Sequence, residues 1–295
     1  MATTAQDQRL GVEEVVLVDD IAVSARKGGP WAPLLIGLGM VLGITVFWMT
    51  WDKLFAFSKG LDATTPEFGR YWMTMLWANL TIIPLGGLIW YSWIAKGCKH
   101  CKAQRAEFGA VTAQHEMGHI WRLWALLGIY LMAIFVGGSF KAEQDATWHQ
   151  VAVRDTAFTP SHINLFFGIF PLFIMLAVGS YLYARDRLPH LFRDKGFPIS
   201  WGLVLSGSFF LLIWVAMNEW FHSFFFTEEI FSAPLHWGFN LFAYLLAGTF
   251  AVWFATGPRM WELADKEAAQ AEKEGTAEPV PASYPVHWRR WWAPQ

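Results

Sequence analysis

Hydrophobic residues in this chain come in long blocks, and polar and charged residues collect between them. Six blocks approach the roughly 20 residues that an α-helix needs to cross the apolar core of a bilayer. They run over Trp31–Trp51, Tyr71–Ile94, Ile120–Phe140, His162–Ala184, Trp201–Phe221 and His236–Trp253, the last being short and extendable to Thr256. The pattern predicts an all-α integral membrane protein, a single compact bundle of about six transmembrane helices. It divides the chain into a polar N-terminal segment, 1–30, a transmembrane helical domain, 31–256, and a cytoplasmic tail, 257–295.

The connections carry the orientation. Lys96, Lys99, Lys102 and Arg105 follow the second block, and Arg185, Arg187, Arg193 and Lys195 follow the fourth. The stretch Glu219–Pro234 after the fifth has no Lys or Arg and contains Glu219, Glu228 and Glu229. Loops rich in Lys and Arg stay in the cytoplasm. Both termini are therefore expected there, and the first, third and fifth connections on the outer face.

Composition agrees: the chain is 55% hydrophobic and 17% aromatic, with a mean hydropathy of +0.30. The formal net charge of -2 gives no reason to expect nucleic acid. Met1–Pro30 lacks the basic start and apolar centre of a secretory signal, so the first span is expected to serve as targeting element.

Chemistry-bearing residues sit at two of the outer connections. Asp145, His149 and His162 form one set; Asn218, His222 and His236 form the other. Each has a polar donor, a His four positions later, and a second His after a short connection. A four-residue step puts two side chains on one helix face, and the third donor comes from the start of the next helix. Carboxylate, amide and imidazole suit a divalent metal such as copper, zinc or iron. Two plainer readings stand beside this. Asp145 and His149 can lie in a wet loop bonded to backbone, and Asn218 can join helices by a hydrogen bond. Glu143, Asp155 and Glu219 are placed to support ligands from behind.

The runs EQDATWHQVAVRDTAFTPSHI and NEWFHSFFFTEEIFSAPLHWGF, with GLDATTPEFGRYWM between the first two spans, resemble the C subunit of the copper-dependent membrane monooxygenases. That family includes particulate methane monooxygenase, ammonia monooxygenase and the short-chain hydrocarbon monooxygenases. The similarity covers most of Gly60–Phe239. The resemblance implies oxidation of an unreactive C–H or N–H bond with dioxygen, in the cytoplasmic or intracytoplasmic membrane of a bacterial cell. It implies two further subunits, one carrying a cupredoxin-like domain, assembled as a trimer of heterotrimers among lipids. It also implies a metal, generally copper, on Asp145, His149 and His162, and a second copper site on Asn218, His222 and His236. Three protein ligands leave a metal position open for dioxygen or a small substrate.

Cys98, Cys101, His115 and His119 read C-x2-C-x13-H-x3-H, a spacing that suits a structural zinc site. Residues 115–119 also match H-E-x-x-H, but they are expected on a short loop with no domain to hold a peptide. The alternative is two reduced cytoplasmic thiols and interfacial histidines, with no disulfide. The tail has helix formers over Glu262–Gly275, then an extended Pro-containing stretch, then Trp288–Trp292, suited to the cytoplasmic leaflet or a neighbouring protein of the assembly. The Cys/His loop and the tail depart from the methane and ammonia forms, which favours a short-chain alkane as substrate. A metal transporter and a non-catalytic structural subunit are the competing functions.

Overall fold

The computed structural model describes residues 31–60, 62–108, 111, 113–141, 144–145, 158–194, 196–225, 241–273 and 275. Among these the secondary structure is helical, with no strand. The long helices are α1, Trp31–Lys59; α2, Pro66–Ala95; α3, Lys99–Phe108; α4, Ala113–Met132; α5, Pro160–Arg187; α6, Ile199–Phe225; and α7, Leu241–Lys273.

Four helices among the described residues are long and apolar enough to cross a membrane: 35–59 of α1, all of α2, 115–135 through α4, and all of α5. Ile199–Ile213 of α6 is a shorter apolar helix. Several helices run beyond the apolar blocks of the sequence. The first helix runs on to Lys59 rather than stopping near Trp51, because Asp52 and Lys53 do not interrupt helical propensity. The last helix continues to Lys273, since the helix formers of the tail extend it without a break. Residues 115–119 lie in the first turns of α4 rather than on a loop.

The chain forms two compact units. The larger contains α1, α2, most of α4, α5, α6 and the apolar half of α7. The smaller contains α3, the first turns of α4 and the polar half of α7.

Within the larger unit α5 is the central helix. Its apolar window is 56% buried, against 22% for α1 and 28% for α2. It packs on α2 and on α6, and buries Ile163, Phe166, Phe170, Phe173, Leu176 and Ala177. Gly179 lets α2 come close, since a Cβ there would lie 2.2 Å from the Trp90 ring. Two side-chain bonds add links between helices: the Tyr130 and Ser208 hydroxyls are 2.7 Å apart, and Trp124 Nε1 donates to Thr256 at 2.7 Å. Inside a membrane such bonds contribute on average about 0.6 kcal/mol each. The outer faces remain apolar. Leu35, Ile36, Val46 and Phe47 on α1, and Ile82, Leu85, Leu88 and Ile89 on α2, are exposed. Backbone satisfied within helices and apolar side chains outside is the arrangement a bilayer demands.

Three turns widen into π-helix: Gly69–Met73 in α2, Ala133–Phe140 at the end of α4, and Leu165–Ile169 in α5. Such insertions change which side chains face inwards and gather at functional sites. Two of them flank the candidate centre.

Candidate metal centre

Helix α5 begins at Pro160, with Thr159 as N-cap and the Ile163 N–H donating to the Thr159 carbonyl at 3.0 Å. Proline suits a first helical position because its missing N–H would have no intrahelical partner there. This start fixes Ser161, His162, Ile163 and Asn164, all buried.

From the other side, Lys141, Gln144 and Asp145 are helical residues that follow the π-helical turn Ala133–Phe140. Asp145 meets His162. The His162 Nε2 lies 3.0 Å from one carboxylate oxygen and 3.1 Å from the other. The Ser161 hydroxyl donates a short hydrogen bond to Oδ1 of the same carboxylate. Asp145 is 6% exposed and His162 fully buried. The Phe166 ring tilts against the imidazole with centroids 4.8 Å apart, and Phe158 stacks on Phe167 at 5.8 Å.

So the structure brings together two of the three residues of the first set. His149 lies outside the described residues. The donor chemistry fits a metal. Two donors each about 2.0–2.1 Å from a tetrahedral ion are roughly 3.3 Å apart, close to the observed separation. The same spacing also serves an ordinary hydrogen bond.

Of the second set, Asn218 and His222 fall one turn apart on α6. Their side chains and His236 lie outside the described part of the chain, as do Glu143 and Asp155.

The residues of the cysteine pattern lie around the end of α2, on α3 and at the start of α4. Gly97, at φ 71°, ends α2 by donating its N–H to the Ile94 carbonyl at 2.9 Å. Glycine adopts this left-handed conformation without steric cost, and Cys98 follows directly. Cys101 is buried on α3 and His119 is buried in the first turns of α4. The Tyr183 hydroxyl lies 2.9 Å from His119 Nδ1.

Glu116, the acid of the H-E-x-x-H match, is engaged elsewhere. Arg259 grips it as a fork, Nε to Oε1 at 2.8 Å and Nη2 to Oε2 at 3.0 Å. The glutamate holds Arg259 well above the ordinary guanidinium value, opposed by partial burial. A carboxylate gripped in this way is a structural anchor rather than the general base of a peptidase.

Compared with known protein families, the chain matches the C subunit of ammonia monooxygenase/methane monooxygenase over residues 18–267. The chain belongs to that family. No curated protein matches it. The family range takes in both predicted ligand sets, the cysteine pattern and Arg259. The protein is therefore a membrane component of an ammonia/methane monooxygenase complex. Sequence reasoning missed the polar residues behind its Asp145–His162 pair: Asp52, Asn79, Lys141 and Asn164. A charged residue inside a predicted span was the available signal, and Asp52 lay next to the expected end of the first span.

Proposed function

We propose that this subunit bears the metal of a copper-dependent membrane monooxygenase that hydroxylates a small substrate with dioxygen, a short-chain alkane or methane being favoured. The observation that carries the reading is the buried contact between the Asp145 carboxylate and the His162 imidazole. Asp145, His162 and, from the sequence, His149 would hold copper, which when bound supplies the redox chemistry that side chains lack. The protein's part is positioning. Ser161 fixes the carboxylate by its hydrogen bond. Phe166 packs against the imidazole and is itself buried, so it excludes water and leaves an apolar wall suited to a small apolar substrate.

The wider assembly follows from the family. We expect two further subunits, one with a cupredoxin-like domain, in a trimer of heterotrimers in a bacterial cytoplasmic or intracytoplasmic membrane. Six spans, with α6 and α7 as the fifth and sixth, would leave both termini in the cytoplasm. Asn218, His222 and His236 would form a second, weaker copper site, because an amide brings no charge. The C-x2-C-x13-H-x3-H spacing of Cys98, Cys101, His115 and His119 would suit zinc. Cys101→Ser should then lower zinc per complex without affecting copper.

An ammonia-oxidising member of the family is the competing reading, since the matched family spans both activities. The deciding experiment is His162→Ala in the complete complex in lipid nanodiscs. It should lose copper and substrate oxidation while the complex stays assembled. Full copper and normal turnover would reject the site. Comparing ethane, butane, methane and ammonia in one membrane preparation would decide the substrate, and ammonia turnover far above all alkanes would overturn the preference. Metal flux by the isolated protein in liposomes would instead favour a transporter.

A further inference from the structure

A second layer of buried polar groups lies behind the Asp145–His162 pair, and its centre is on α1. Asp52 is 2% exposed and Lys141 fully buried, and the two form an ion pair. The Asp52 Oδ1 also accepts a hydrogen bond from the Asn164 amide at 2.9 Å. Asn164 is two residues after His162, and Lys141 four residues before Asp145. One carboxylate on the first span therefore grips both ligand-bearing segments. Two lesser bonds reinforce each grip. The Lys141 ammonium donates to Gln144 Oε1 at 2.8 Å, and Gln144 donates to the Met49 carbonyl at 3.0 Å. Asn79 of α2 donates to Asn164 Oδ1 and to the Ile163 carbonyl, both at 3.3 Å.

We infer that Asp52 is a positioning residue for the Asp145–His162 centre, setting its geometry and shielding Asp145 from the charge of Lys141. The inference rests on reading that pair as metal ligands. Two arguments carry it.

The first is register. A π-helical turn ends immediately before Lys141, and another begins immediately after Asn164. A slip of one residue in either turn would rotate the side chains on one side of it by about 100° relative to those on the other, carrying Asp145, after the first turn, or His162, before the second, out of the site. A latch at Lys141 and Asn164 holds each segment where such slippage would begin.

The second is charge. Lys141 interacts electrostatically with Asp145 as well as with Asp52. With Asp52 present, Lys141 has a carboxylate partner of its own, and Asp145 stays available to a cation. Without Asp52, Asp145 is the carboxylate left for the Lys141 amine, which then competes with metal for it. A buried pair of this kind is poor evidence for stability alone, and ionisable groups within a membrane bundle are functional by default.

The test uses the full complex in nanodiscs, with copper content, chelator competition and the Cu(II) electron paramagnetic resonance spectrum as readouts. The signal lost in His162→Ala identifies the centre. Asp52→Asn should weaken its copper at least about tenfold and change its hyperfine pattern. The double variant Asp52→Asn with Lys141→Gln removes the uncompensated charge and should recover much of the affinity. Asn164→Ala keeps the ion pair, releases the α5 arm, and should alter the spectrum even if Asp52→Asn does not assemble. Wild-type affinity and spectrum in either assembled single variant would overturn the inference, as would a double variant no better than Asp52→Asn. If His162→Ala itself loses no copper signal, the metal-site reading fails instead.

Discussion

The fork between Glu116 and Arg259 yields a prediction about which partner matters more. Glu116 is nearly buried and Arg259 has 18% of its side chain exposed. Arg259 also has a second carboxylate, its Nη1 lying 3.0 Å from Glu262, which in turn meets Lys266 at 3.1 Å. Arg259→Ala takes the fork from a carboxylate that water reaches poorly. Breaking a buried pair from that side costs about 3–5 kcal/mol, and partial exposure of the arginine argues for the lower end. Glu116→Gln leaves a neutral acceptor beside a cation that retains Glu262, so about 1–2 kcal/mol is expected. Replacing both, as Glu116→Leu with Arg259→Met, should cost less than Arg259→Ala alone, because no buried charge is left behind. Hydrogen exchange of residues 113–118 and 257–273 in the intact complex measures this directly. Arg259→Ala should speed exchange about a hundredfold, since each 1.4 kcal/mol is tenfold, and Glu116→Gln by about tenfold. Substrate oxidation should survive Glu116→Gln. Equal exchange in the two single variants, or a double variant as costly as their sum, would refute the asymmetry.

Gly179→Leu should destabilise the larger unit by about 1–3 kcal/mol through overpacking against Trp90, and Trp90→Ala should relieve it. Thermal inactivation of the complex would show this, and an unchanged midpoint for the single variant would count against the close helix contact. Glu262 titrates below its ordinary value of 4.5, first because of its hydrogen bond to Arg259, with Lys266 adding to it. The folded value is the lower one, so the stabilisation is complete above 4.5 and is lost as pH falls through the lowered value. Hydrogen exchange of 257–273 on descending pH should therefore accelerate only in that acid window, and Glu262→Gln should remove this part of the dependence.

The sequence-level reading and the structure differ according to the length scale of the forces involved. Membrane helices were legible because a bilayer imposes a long, simple pattern: about 20 apolar residues and charges outside. Helix ends were not, because polarity marks where a chain leaves lipid, not where it stops being helical. Asp52 and Lys53 lie beyond the apolar block yet within α1, and residues 262–273 lie well beyond it yet within α7. At the candidate centre, Asp145 and His162 stood out by residue type, a carboxylate and a histidine at the two ends of one short connection, and the structure sets their side chains in contact. The partners of those ligands carry no local signal at all. Asp52 lies 89 positions from Lys141 and 112 from Asn164, and only packing of α1 against the Ala133–Phe140 turn and the start of α5 makes them neighbours. What the sequence does supply is the anomaly: an aspartate and a lysine, each at the edge of an apolar block, where a lone charge would be expensive. Two such residues, far apart in the chain, become tolerable only if they meet. An unpaired charge beside one span is thus best read as a question about another span, and here its answer lies directly behind the candidate ligands.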